Sequence, residues 1–348
     1  MECKKLGFIS NKEHLYYEKY DYIFIDVSSM LIVPYLNLEK YQSTDRINIT
    51  PFVETVKFYV NMKEVLPKTK FIFVFDGGIS INIKKIYPTY KANRKSKRNT
   101  GTLDGNTNNL YDYNCMLIKQ LFDYLNEIVI SSNVINNEAD FIIGYLIKNV
   151  KKENCKLKNL VVSHDKDYLL MYDENVHVIY KHFTPTVKCN YLIKNFDCIS
   201  EIINFYYLRN VKELLYYKAL MGDISDNIKK PFGITNKTPI ENFFTNSCLE
   251  DKEISYTSIL EYFNNKFKKI DLYNKFEKDF RRNIFLMNVF NEEIILDSDK
   301  IKLNKILNEI LYPNNNKIEI NLIKNFISEF GLYFDEEETN RLFKYLIG

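Results

Sequence analysis

Three short runs, YIFIDV (22–27), FIFVFDGG (71–78) and NLVVS (159–163) before HDKD, are apolar almost throughout, and each ends at or just before aspartate. Strands without polar alternation belong to a sheet covered on both faces. Between them TPFVETVKFYVNMKEVLP (50–67) reads as a helix with a Thr cap and Pro at its first position. EADFIIGYLIKNVKK (138–152) reads as a second helix and VHVIY (176–180) as another strand. This β-α-β order predicts an α/β fold with a mostly parallel central sheet flanked by helices. From EIINFYYLRNVKELLYYKALMGD (201–223) onward the strand signal fades. The chain therefore divides into an α/β core over 1–200 and a mainly helical region over 201–348.

The aspartates have a common address. Asp26, Asp76, Asp165 and Asp167 fall at or after C-terminal strand ends, where open α/β sheets place their ligand crevice. Glu138 and Asp140 open a helix, where the macrodipole favours acids, and Asp223 and Asp226 stand three apart in MGDISDN near a helix end. Eight carboxylates on one rim repel by several kcal/mol at intermediate dielectric unless divalent cations neutralise them. An all-oxygen set without matching His or Cys selects Mg²⁺ or Mn²⁺ over zinc. Two such ions suit an in-line displacement at phosphorus. Any single aspartate at a strand end is more often a turn or cap residue, so the reading rests on the set.

Composition narrows the field. No stretch of the 348 residues approaches a membrane span, and MECKKLGFISNKEH lacks the apolar region of a secretory signal, so an intracellular location is expected. The six cysteines form no CxxC pair, which argues against a zinc cluster. The net charge of +3 says little, but its distribution says more. Between Asp76 and Asp104 there is no acid, while Lys84, Lys85, Lys91, Arg94, Lys95, Lys97 and Arg98 supply seven cations. The following NTGTLDGNTNNLYDYN (99–114) reads as a mobile surface excursion. A basic flexible excursion suits a phosphate backbone; the plainer alternative is a solvated loop.

In chain order, YIFIDVS, FVFDGG with YPTYKANR, NEADF, VVSHDKDYLL and KALMGDISDNI resemble the 5′ to 3′ exonuclease and flap endonuclease superfamily. The likeness covers about residues 20–245 and is greatest to stand-alone phage enzymes and the N-terminal nuclease domain of bacterial DNA polymerase I. It implies a PIN-like 5′ nuclease core, a helical arch at about 84–125 that threads a 5′ single strand, and a helix-three-turn-helix at about 212–245. It further implies a Mg²⁺- or Mn²⁺-dependent phosphodiesterase with two ions, cutting DNA or RNA/DNA near 5′ ends in primer removal or repair. On that pattern Asp26, Asp76, Glu138, Asp140 and Asp165 match ligands of the first metal region. Asp167, Asp223 and Asp226 match those further out, and Lys91 and Arg94 match the basic pair at the scissile phosphate. The implied nucleic-acid contacts are Tyr90, Lys84, Lys97, Arg98, Lys218, Lys229, Lys230, Gly233 and Lys237, with Tyr90 the best candidate for stacking on a base. Implied partners are branched or 5′-ended DNA and RNA/DNA hybrid, bound by a monomer, with replication proteins as further candidates and no membrane.

Two departures stand out. Phe141 occupies the fourth position of an E-A-D-D pattern, so one ligand is missing. In KKPFGITNKT only Gly233 and Ile234 survive of a glycine-lined hairpin, with Lys230 and Thr235 at glycine positions. Two other readings stay open: a non-catalytic binder of branched nucleic acid, and a PIN-type ribonuclease.

Overall fold

The structure, a computed structural model, describes residues 5–6, 19–31, 42–43, 47–93, 105–183, 188–267, 269–313 and 320–329. Seven strands form one sheet: β1 Lys5–Leu6, β2 Tyr22–Asp26, β3 Lys70–Val74, β4 Ile128–Ile130, β5 Asn159–Ser163, β6 Val176–Phe183 and β7 Lys188–Ile193. Their spatial order is β1-β7-β6-β5-β2-β3-β4. β4, β3, β2, β5 and β6 are parallel neighbours, while β7 joins β6 and β1 joins β7 antiparallel. The chain moves outward one way from β2 to β3 and β4, and the other way from β5 to β6. The order reverses between β2 and β5, the switch point where such sheets open a crevice.

Along β2 and β3 the side chains alternate between two apolar layers, both fully covered. Phe24, Ile72 and Val74 enter one cluster, and Ile23, Ile25, Phe71 and Phe73 the other. This is why the sequence shows no polar alternation there. The second layer is closed by α2, Thr50–Val65, and α4, Gly105–Tyr124, after a short α1, Val27–Met30, and α3, Ile81–Ile86. The first layer is closed by α5, Ala139–Glu153, and by helices of the later chain. Those are α6 Phe196–Ile203, α7 Val211–Met221, α8 Thr238–Leu249, α9 Tyr256–Phe267, α10 Ile270–Met287 and α11 Asp297–Leu311, whereas α12 Ile320–Glu329 packs on the second layer. Ile142 and Leu146 of α5, Leu214 and Leu220 of α7, Phe280 of α10 and Leu303 of α11 lie in that one cluster, while Ile323 and Phe326 of α12 reach the other.

Two local expectations need correction. Thr50 does not cap α2: the cap position is Ile49, and the exposed amides of the first turn go to asparagines. Thr50 N–H donates to Asn48 Oδ1 at 3.0 Å and Phe52 N–H to Asn114 Oδ1 at 3.0 Å. Nor is the Gly- and Asn-rich stretch a loop from residue 105 onward, since Gly105–Tyr124 is helical. Asn114 is fully buried and its Nδ2 also donates to Asn48 O at 3.0 Å, so a residue that reads as a loop former is a cross-link between α4 and α2. Replacing Asn114 by Ala strands an amide and a carbonyl without water. The expected loss is about 3 kcal/mol of unfolding free energy, read as a lower urea midpoint at unchanged slope.

Candidate metal centre and active site

Asp26 ends β2, Asp76 follows β3 by two residues, and Asp165 follows β5 by two, so three of the acids stand on the rim around the switch point. Each is held by a short polar contact. Ser28 Oγ donates to Asp76 Oδ2 at 2.6 Å, and Ala139 N–H, at the start of α5, donates to Asp76 Oδ1 at 2.9 Å. Ser163 Oγ donates to Asp26 Oδ2 at 3.1 Å and accepts from Asp165 N–H at 3.1 Å, tying β2 to β5 across the reversal. Asp165 then caps the 3₁₀ turn Lys166–Met171 by accepting from Asp167 N–H at 2.9 Å. Glu138 is the cap residue of α5, with Asp140 in its first turn.

The remaining acids arrive from the later chain. α7 ends at Gly222, whose φ of +68° suits glycine, and a Cβ there would stand 2.6 Å from Ile228 O. The tight turn that follows is organised by Asp223, whose Oδ1 accepts from Ser225 N–H at 2.7 Å, Ser225 Oγ at 2.6 Å and Asp226 N–H at 3.3 Å. Asp167, Asp223 and Asp226 thereby bring one carboxylate oxygen each to within 4.8 Å of one another.

Two lysines sit inside this ring. Lys91 ion-pairs with Glu138, and its Nζ lies 3.6 Å from Asp226 Oδ2, while Lys218 on α7 ion-pairs with Asp167. Lys91 is placed by its own backbone: its φ is +54° and its N–H donates to Asp226 O at 2.9 Å. The stacking expectation for Tyr90 is overturned. Its ring is only 6% exposed, and its hydroxyl donates to Glu138 Oε2 and Asp226 Oδ2, each at 2.9 Å, so it orients acids and offers no face to a base. Lys218 likewise faces Asp167 rather than open solvent.

Burial, then the nearby Asp76 and Asp165, pushes Asp26 up to about 8. Asp165, although its edge opens to the crevice, is pushed up to about 7 by crowding from protein atoms and then by Asp167, with Lys218 pulling the other way. Burial and then Glu138 raise Asp140 well above the usual carboxylate range, and burial raises Glu138 against the pull of Lys91. The residues fit a hard divalent cation. Asp26 Oδ1 is buried without a hydrogen-bond partner, and the three clustered oxygens of Asp167, Asp223 and Asp226 are of the right chemistry.

In the metal-free fold the burial of Asp26 favours its protonated form, whereas the unfolded chain releases that proton near pH 4, so this contribution is complete below that pH. It is lost as pH rises through about 8. The melting temperature in EDTA should fall between pH 6 and 8.5, Mg²⁺ should raise it more at the higher pH, and Asp26→Asn should flatten the slope. A metal-free melting temperature that rises over that interval, unaltered by Asp26→Asn, contradicts the assignment.

Several functional neighbours carried no sequence signal strong enough to single them out. Ser28, Ser163 and Asn93 are generic polar residues until the fold places them; Asn93 Nδ2 donates to Ile224 O at 2.7 Å, joining the YKAN stretch to the GDISDN turn. Tyr168 is fully buried, its hydroxyl has no hydrogen-bond partner, and burial followed by Asp26, Asp140, Asp76 and Asp165 holds its pKa far above normal. Phe141 faces the same core cluster as Tyr168. Other expected contacts make no ion pair with the candidate metal ligands among the described residues. Lys84 is on the exposed side of α3, Lys229 and Lys230 are in the connection after α7, and Lys237 pairs with Glu241 at 3.1 Å on the surface. Gly233 has a φ of +83°, and a Cβ there would meet the Phe267 ring at 2.3 Å, so packing alone requires glycine. Arg94, Lys97 and Arg98 lie outside the described residues.

The family described as 5'-3' exonuclease, N-terminal resolvase-like domain, matches residues 21–197, just over half of the chain. The chain belongs to this 5'-3' exonuclease family. A "5'-3' exonuclease" of Buchnera aphidicola subsp. Acyrthosiphon pisum is 33% identical over 202 residues, 55% of this chain and 59% of the relative. A DNA polymerase I of Caldicellulosiruptor bescii is 28% identical over 175 residues, 48% of this chain and 18% of that protein. The match thus spans less than two thirds of these curated relatives. Among solved structures, the T5 D15 protein co-crystallised with metal ions aligns with a TM-score of 0.58 at 17% identity, over 83% of this chain and 98% of that one. The bacteriophage T5 flap endonuclease in a complex with DNA and metal ions aligns with a TM-score of 0.59 at 18% identity, over the same shares. These structural likenesses establish the 5′ nuclease fold expected from the family. Among the described residues no helix is long and apolar enough to cross a membrane.

Proposed function

We propose that this member of the 5'-3' exonuclease family is a structure-specific 5′ nuclease, hydrolysing phosphodiester bonds near 5′ ends of DNA or RNA/DNA in replication or repair. The observation that carries the reading is the gathering of carboxylates from β2, the residues after β3, α5, the 3₁₀ turn after β5 and the turn after α7, with Lys91 ion-paired to Glu138 and 3.6 Å from Asp226. Asp26, Asp76, Glu138, Asp140 and Asp165 would hold one Mg²⁺ or Mn²⁺, and Asp167, Asp223 and Asp226 a second. Such ions, when bound, supply Lewis-acid activation of the attacking and leaving oxygens.

The chain's own groups do the rest. Ser28, Ser163 and Tyr90 fix carboxylate orientation through the hydrogen bonds described above. Lys91, ion-paired with Glu138 and 3.6 Å from Asp226, would present its positive charge to the reacting phosphate. Lys218 steadies Asp167 from the opposite side. The α/β core over 1–200 would carry the chemistry, and the helices after residue 200 would grip duplex. Retaining eight acids without a catalytic need would cost stability, which disfavours the non-catalytic alternative. A PIN-type ribonuclease has no need of the GDISDN turn.

Cleavage of a 5′-flap, a nicked duplex, a single strand and an RNA/DNA hybrid, each with Mg²⁺ and with EDTA, tests the reading. Mg²⁺-dependent release from the 5′ end of the branched substrate is expected. Binding without cleavage in any metal would leave the non-catalytic alternative, and preference for single-stranded RNA the ribonuclease.

A further inference from the structure

α3, the connection between α7 and α8, and α10 line a groove of about 840 Å³. Its apolar residues are unusually open: Phe232 is 42% exposed and Ile86 is 44% exposed. Phe232 is fixed nevertheless. Its N–H donates to Asp279 Oδ2 on α10 at 3.1 Å, and Lys275 Nζ lies over its ring at 5.4 Å from the centroid. That amide is therefore engaged by a carboxylate and cannot cradle a phosphate.

The cations replace what the amide no longer offers. Arg281 pairs with Glu277 at 2.9 Å and Arg282 with Asp279 at 2.7 Å, which uses the acids of the groove. Lys275 and Lys278 remain exposed there with no carboxylate in ion-pair contact among the described residues. The groove is also joined to the acid ring. The Arg282 guanidinium lies over Tyr87 at 4.6 Å, and Tyr87 O–H donates to Asn227 O at 2.9 Å, next to Asp226.

We propose that this groove seats an unpaired nucleic-acid strand, with one base laid on Phe232 and neighbouring phosphates on Lys275 and Lys278. A ring that is 42% exposed, with the Lys275 ammonium over one side and Lys278 in the same groove, suits a base whose face is free, which a duplex buries by stacking. The proposal rests on the nuclease reading for its class of ligand, yet its test does not need cleavage.

Binding of a short fluorescent oligothymidylate and of a blunt duplex is measured by anisotropy in EDTA. Phe232→Ala weakens the oligothymidylate about tenfold and leaves the duplex unchanged. Lys275→Gln with Lys278→Gln lowers the slope of log affinity against log salt by about 1.4, at about 0.7 for each phosphate contact. All three side chains are exposed, so an unchanged far-UV spectrum is expected. Because the chain contains no tryptophan, Phe232→Trp adds a single reporter, and stacking quenches its emission when the oligothymidylate is added. Unquenched emission, unchanged affinity, or equal losses for strand and duplex each overturn the proposal. Flap cleavage by the unmodified chain is scored separately. A chain that cuts but ignores Phe232 loses the groove and keeps the nuclease; one that binds through Phe232 without cutting keeps the groove and loses the nuclease.

Discussion

Asp165→Asn should lower single-turnover cleavage of a 5′-flap by more than about 100-fold, the loss that even the outer partners of metal ligands can produce. The substitution preserves shape, and an asparagine Oδ1 can still accept the Asp167 N–H bond that starts the 3₁₀ turn. It removes a charge crowded by Asp167, Asp26 and Asp140, so the metal-free fold is not weakened. Binding of branched DNA should persist or tighten, since a phosphate then meets less negative charge. Asp226→Asn should be milder, because Asp226 also accepts from Tyr90, a contact an amide oxygen can keep. Turnover by Asp165→Asn at the unmodified rate would remove the basis for the metal assignment.

Lys91→Ala should slow the single-turnover rate by on the order of 10², as loss of charge stabilisation at a developing oxyanion does elsewhere, with little change in substrate affinity. The comparison is clean in one respect: both residues bear the same left-handed backbone strain at a φ of +54°. Arg94→Ala should behave similarly. Lys97→Ala and Arg98→Ala should act on affinity, lowering the salt slope by about one unit for each lost phosphate contact. Equal, purely affinity-type effects at all four positions would mean that the basic stretch is a solvated surface and that Lys91 serves only to neutralise Glu138.

The sheet and its acids were readable because both obey local rules. β5 is buried at every position and its sequence is apolar from Leu160 to Val162, so period and burial agree. Acids at the ends of parallel strands share one rim, since strand direction alone decides the edge. Short elements escaped: β4 is three residues, Ile128–Ile130, and has no pattern to read. Asn114 was misleading because its stabilisation comes from α2, far away in sequence. Tyr90 was misread for the same reason, its two partners lying 48 and 136 residues away. The groove at Phe232 combines residues from 86, 232 and 275–282, and nothing local in any of the three announces the others.

The apolar layer shared by α5, α7, α10 and α11 has a consequence for synthesis on the ribosome. The family match ends at residue 197, before Lys218, Asp223 and Asp226 exist. Asn283 later donates to Ala219 O at 2.9 Å and Lys229 O at 2.8 Å, fastening the end of α7 and the connection that follows. The ring of charge can thus close only after Asn283 has been made. On the proposed reading, the nascent chain completes its set of acids only when the helices after residue 200 dock, late in translation.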